Sequence, residues 1–86
     1  MEFEFDPNRS RSNAEEHGID FIRAQELWED VDLMIIPART SDEERWLVIA
    51  RLEERHWSAI ITCRGARARI ISVRRSRNEE IELYEG

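Results

Sequence analysis

Apolar and polar positions change period along the chain, and each change marks an element. Phe3 and Phe5 alternate with Glu2, Glu4 and Asp6, the period-two pattern of a short edge strand. Asp6-Pro7 then opens a helix, because Asp caps and Pro fits the first helical position. Gly18 is the matching stop, which predicts a helix over residues 7–17 with His17 in its last turn. Asp20 caps a second helix, whose face recurs at Phe21, Ala24 and Trp28. Leu33–Ile36 reads as a strand that Pro37 ends, and the polar stretch Ala38–Glu44 reads as a turn.

The second half alternates. Over Arg45–Leu52, Trp46, Val48, Ala50 and Leu52 share one face of a strand, with Leu47, Ile49 and Arg51 on the other. Glu53-Glu54-Arg55 connects it to a returning strand, His56–Arg64, although the connection has no Gly. Gly65-Ala66 turns the chain into a strand over Arg67–Arg75. Its pattern sets Ala68, Ile70 and Ser72 on one face and Ile71 and Val73 on the other. Ser76-Arg77-Asn78-Glu79 has the spacing of a capping box, and Ile81 and Tyr84 share a face of the short helix that follows. The expected fold is a small α+β domain spanning residues 1–86. It has two N-terminal helices, an antiparallel sheet of about four strands plus a short N-terminal strand, and a C-terminal helix.

Size and charge narrow what such a domain does. Folding an 86-residue chain buries only roughly 60–65% of its unfolded surface, which favours a surface site or a partner interface over a deep cavity. The apolar runs are far too short to span a bilayer, and the N-terminus carries acid where a signal peptide needs base. One cysteine, Cys63, makes no intrachain disulfide, and its parity with Trp57, Ala59 and Ile61 suggests a buried small side chain. These features predict a cytoplasmic protein with no membrane partner.

The net charge of -6 is unevenly placed. Residues 64–77 hold six arginines and no acid, while the rest of the chain is strongly acidic. All 13 basic residues are Arg, for which a coding bias is sufficient explanation; the consequence is a set of permanent, two-pronged binders of phosphate or carboxylate.

The basic segment is the first candidate site. By strand parity Arg67, Arg69 and Arg75 fall together, and Arg64 and Arg74 fall on the other side. Such charges also protect sheet edges from aggregation. Six arginines without an acid between them, just before a helix N-terminus, point instead to phosphate. Arg74 reads as an exposed strand-end cation with little weight in stability. His17 is either a C-terminal helix cap or a general acid–base group, since imidazole ordinarily titrates nearest neutrality. Glu80 and Tyr84, four apart on the last helix, either dock that helix or add a carboxylate and a phenol to the arginines. Metal-free RNA cleavage needs a base for the 2′-hydroxyl, cations for the phosphorane and an acid for the leaving oxygen, and these residues include all three types. No His and Cys cluster has metal-ligand spacing, no Gly-rich phosphate loop is present, and no cofactor is implied.

The order of short motifs resembles one family. Phe3-Glu4-Phe5-Asp6-Pro7, Arg9, Asn13, His17-Gly18-Ile19, Phe21 and Ala24 look like the N-terminal half of BrnT toxins. Thr62, Arg64, Arg69-Ile70-Ile71-Ser72-Val73-Arg74-Arg75, Glu80 and Tyr84 resemble the C-terminal half. The resemblance implies a RelE-like fold and a ribonuclease toxin of a type II toxin–antitoxin module. It implies catalytic roles for His17, Arg64, Arg74, Glu80 and Tyr84, and RNA phosphate contacts for Arg9, Arg67, Arg69, Arg75 and Arg77. It also implies a partner, a BrnA-like ribbon-helix-helix antitoxin in an assembly of two toxins and two antitoxins, which touches operator DNA only through the antitoxin. Of Trp28, Trp46 and Trp57, at most one is expected in that interface. Glu16 stands where the family usually has Lys, and with the net acidity it supports the alternative of a catalytically weak module that only pairs with the antitoxin.

Overall fold

The computed structural model describes residues 1–39 and 43–86. The turn expected over Ala38–Glu44 therefore falls partly outside the described residues. The sheet runs β1 (Glu2–Glu4), β5 (Arg67–Arg75), β4 (Arg55–Arg64), β3 (Trp46–Leu52), β2 (Met34–Pro37) in spatial order. β1 pairs with β5 in parallel, and the other neighbours are antiparallel. No helix among the described residues is long and apolar enough to cross a membrane.

Helix α1 (Pro7–His17) has the boundaries its punctuation dictates. The Asp6 carboxylate accepts from the Asn8 amide at 2.8 Å, and Gly18 closes the helix at φ 80°, donating to Ala14. Helix α2 (Phe21–Ala24), capped by Asp20, tightens at once into a 3₁₀ segment, Gln25–Glu29. The tightening changes which face is buried. A threefold repeat makes Phe21, Ala24 and Leu27 the fully buried set, so Leu27 takes the place expected of Trp28, which is half-buried. These side chains pack on one sheet face against Val48, Ala50, Trp57, Ala59, Ile61, Ala68, Ile70 and Val73.

That list corrects the face assignment of β5. Ile61 lies opposite Ile70 while Ile60 lies opposite Ser72, so Ile71 is an extra residue in the ladder. A bulge reverses parity beyond it. Val73 therefore joins Ala68 and Ile70 on the core face, and Ser72 leaves it.

Asn13 fixes α1 against the same strand. Beyond β1, β5 has an open edge, and the Asn13 side-chain amide pairs with it as a peptide group would. It donates to the Val73 carbonyl at 2.8 Å, accepts from the Val73 amide at 3.1 Å, and also donates to the Ile19 carbonyl.

The β3–β4 hairpin turns at Glu53-Glu54, with Glu53 in the left-handed region at φ 60° where glycine is at ease. Cys63 proves exposed: it keeps the expected parity, but the β4–β5 hairpin runs past the core there. Helix α3 (Asn78–Glu85) starts one residue later than its sequence spacing suggests. Arg77 is the N-cap and Glu80 the reciprocating residue, while Ser76 bonds to Ser58 instead.

Candidate functional site

The bulge at Ile71 gathers the arginines. Arg67 and Arg69 face away from the core, alternating with buried Ala68 and Ile70. Without the bulge Arg74 would point the other way; with it, Arg74 joins them, and Arg64, paired across from Arg67, completes the row. Arg75 leaves this set and lies over the Trp57 ring, 5.7 Å from its centroid, at the core-side edge. The parity grouping expected from sequence is thus rearranged by one residue that no Gly or Pro announces.

Two grooves flank α1 on this side. One is lined by Asn8, Arg9, Ser12, Asn13, Glu16, His17, Ile71 and Ser72. The other is a cleft of about 260 Å³ lined by Asp6, Arg9, Glu43, Arg45, Thr62, Arg64, Arg69, Ile70 and Ile71. Arg9 and Ile71 belong to both, so the grooves adjoin. His17 stands at the far end with its Nε2 3.6 Å from the Glu16 carboxylate. Arg45 is isolated from the basic segment in sequence; the antiparallel pairing of β3 with β4 brings it there.

Carboxylates already hold several of these cations. β1 sets Glu2 opposite Arg67 and Glu4 opposite Arg69, with ion-pair distances of 3.3 and 2.9 Å. Arg45 meets Glu43 at 3.1 Å. Among the described residues no ion pair engages Arg9 or Arg64.

Arg74 and Glu80 form the most ordered part of the site. Both guanidinium nitrogens donate to the two Glu80 oxygens at 2.8 Å. Ser58 Oγ adds a bond at 2.8 Å and the Arg77 amide one at 2.9 Å. Arg74 is therefore half-buried and paired, which overturns its reading as an exposed strand-end charge; the bulge aims it under α3. The Arg74 guanidinium, with help from Arg77 and Ser58, pulls the Glu80 carboxyl down to about 2 despite its burial. The same pairing raises Arg74 further. Glu80 is a fully engaged anion, suited to holding Arg74 and unsuited to taking a proton.

Tyr84 sits elsewhere. Its hydroxyl donates to Asp30 at 2.6 Å, in a cleft shared with Glu26, Glu29, Asp32, Arg51 and Glu53. Burial and the Asp30 bond push the phenol up to about 12. Beside it, His56 meets Glu85 at 2.7 Å and packs edge-on against the Tyr84 ring. The structure thus brings Arg64, Arg67, Arg69 and Arg74 to one face and His17 and Arg9 to its flank. Tyr84 and Arg75 lie outside that group, and Arg77 contributes its backbone amide to Glu80.

A third feature is apolar. Trp28 and Trp46, both half-buried, line a groove with Met1, Ile35, Ile61 and Cys63, while Trp57 is buried.

Comparison with known proteins gives one family. Residues 5–80 match the model of a family described as ribonuclease toxin, BrnT, of type II toxin-antitoxin system. A search of curated proteins finds no match.

Proposed function

The chain belongs to the BrnT family of ribonuclease toxins of type II toxin–antitoxin systems, and on that premise we propose that its open sheet face and the flanking α1 grooves bind and cleave RNA. The observation that carries this reading is the gathering of Arg64, Arg67, Arg69 and Arg74 on one face, with Arg9 beside them and His17 along the same groove. Arg74, held by Glu80, presents a pre-oriented cation to the phosphorane charge. His17 carries the proton transfer: the 2′-oxygen loses its proton and attacks the adjacent phosphorus. The bond from phosphorus to the 5′-oxygen breaks, and that oxygen takes up a proton, which leaves a 2′,3′-cyclic phosphate. Tyr84 ties α3 to Asp30 and takes no part in this scheme. Cleavage of RNA inhibits translation and arrests growth.

The partner is a small BrnA-like antitoxin, two copies to two toxins, which covers the basic face with acidic segments and reaches DNA by its own domain. The Trp28 and Trp46 groove offers its apolar anchor a seat. The four carboxylate-paired arginines, Arg45, Arg67, Arg69 and Arg74, together with Glu16 beside His17, favour a second reading, a pairing module with weak cleavage.

Substituting Arg74→Lys separates the two readings. Lysine keeps the charge and loses the two-pronged bond. RNA cleavage and growth arrest should fall at least roughly tenfold, the scale of a lost transition-state contact, with antitoxin pairing retained. Full toxicity at equal expression would refute the site.

A further inference from the structure

We propose that the cleft between α1 and the starts of β3 and β5 is a remote phosphate subsite, which holds one internucleotide phosphate of single-stranded RNA a few nucleotides from the bond that is cut. This rests on the RNA-cleaving reading above and adds to it a residue, Arg45, and a division of labour.

Four arginines line it, Arg9 from α1, Arg45 before β3, Arg64 from β4 and Arg69 from β5, with the Thr62 hydroxyl and the Asp6 and Glu43 carboxylates among them. Guanidinium groups so placed repel one another unless an anion lies between them. In the free protein that anion is carboxylate: Glu4 takes Arg69 at 2.9 Å and Glu43 takes Arg45 at 3.1 Å. A phosphate offers guanidinium the same kind of anionic oxygen, so it enters by exchange. The cleft, about 260 Å³, has ample room for one such group.

Distance separates this cleft from the chemistry. Arg9 and His17 are eight residues apart on α1, so about 12 Å of helix separates the arginine cleft at Arg9 from His17, a few nucleotides of strand. Binding there is equally strong in the ground state and the transition state. It therefore lowers KM without changing kcat.

The test measures binding of an uncleavable 2′-O-methyl oligonucleotide to the purified full-length toxin by fluorescence anisotropy across salt, then cleavage of unmodified RNAs of increasing length. Arg45→Ala should weaken binding of a 10-mer roughly threefold to tenfold and flatten the salt dependence by the equivalent of about one phosphate contact. Arg23→Ala, an equal charge loss on α2, should leave both unchanged. Glu4→Gln should tighten binding, because it releases Arg69, a gain that loss of structure does not produce. In cleavage, Arg45→Ala should raise KM for long RNAs and leave a dinucleotide unaffected. Equal effects of Arg45→Ala and Arg23→Ala, or no change with either Arg45→Ala or Glu4→Gln, would overturn the subsite. Binding with the expected pattern but no cleavage would instead overturn the catalytic reading and leave the subsite standing.

Discussion

Replacing Glu80 by Gln should remove a large share of this protein's stability and, with it, the part of its acid sensitivity that Glu80 supplies. Glu80 is 8% exposed and accepts from Arg74 twice, from Ser58 and from the Arg77 amide. Its carboxyl falls from 4.5 to about 2. At about 1.4 kcal/mol for each tenfold change in proton affinity, that corresponds to about 3 kcal/mol. Because the folded value is the lower one, the contribution is complete above about pH 5 and is lost as pH falls toward about 2. Glutamine keeps the shape and one acceptor but turns an amide donor or a neutral oxygen toward Arg74. A loss of about 2–3 kcal/mol at pH 7 follows, or roughly 10–20 °C in Tm for a domain of this size. Against a total of about 5 kcal/mol, the variant should fold but marginally. Urea denaturation at pH 7, 5 and 3 measures it, and the gap between wild type and variant should shrink as the acid limb is crossed. Adding Arg74→Met should restore part of the loss, since a neutral pair leaves no buried charge alone. A gap below about 0.5 kcal/mol at pH 7, or one constant with pH, would refute the reasoning.

Two further outcomes test the scaffold. Asn13→Ala strands the Ile19 carbonyl and both polar groups of Val73; it should cost about 3 kcal/mol or more, read as a lower urea midpoint. Tyr84→Phe removes the bond to Asp30, so stability at pH 7 should fall while RNA cleavage persists. Because the folded phenol lies above its usual 10, at about 12, its contribution is present at neutral pH and lost as pH rises through that range, so the variant's stability should lack wild type's alkaline decline there.

What the sequence made legible depends on whether a residue type marked the event. Asp6, Pro7 and Gly18 mark both ends of α1, and α1 has the predicted ends. Alternation located β3, β4 and β5 to within a residue. The bulge at Ile71 has no such mark: an isoleucine in a run of Arg-Ile-Ile-Ser-Val fits either register, so the faces of Ser72, Val73 and Arg74 were misassigned. The frame of α3 slipped for a related reason. Ser76 and Glu79 have capping-box spacing, but Glu80 wins because Arg74 and Ser58 recruit it as well. Long-range pairing was also hidden. Nothing local says that Glu2 and Glu4 lie beside Arg67 and Arg69, since that follows from a parallel β1 at the sheet edge.

The charge of -6 bears on RNA binding through its placement rather than its sum. The acidic cleft of Glu26, Glu29, Asp30, Asp32 and Glu53 lies past the C-terminal end of β3, and Arg45 lies before its start. Seven extended residues put roughly 23 Å between them. That is nearly three Debye lengths of ~8 Å at physiological salt, so those acids scarcely act on the arginine cleft. Glu16 is placed differently, exposed and 3.6 Å from His17 in the groove that runs along α1. Replacing it by Lys reverses one charge where RNA passes, and a cation in the last turn of α1 also suits the helix. Binding of the uncleavable oligonucleotide should tighten severalfold at about 50 mM salt, and the slope of log K against log salt should steepen by up to about 0.7, one added contact to a single strand. Glu26→Lys changes the net charge identically at the acidic cleft and should do neither. If both substitutions tighten binding equally, net charge governs affinity and the segregation argument fails. If Glu16→Lys alone does, an acidic protein holds RNA because its acidic cleft is kept a strand's length from its arginine cleft.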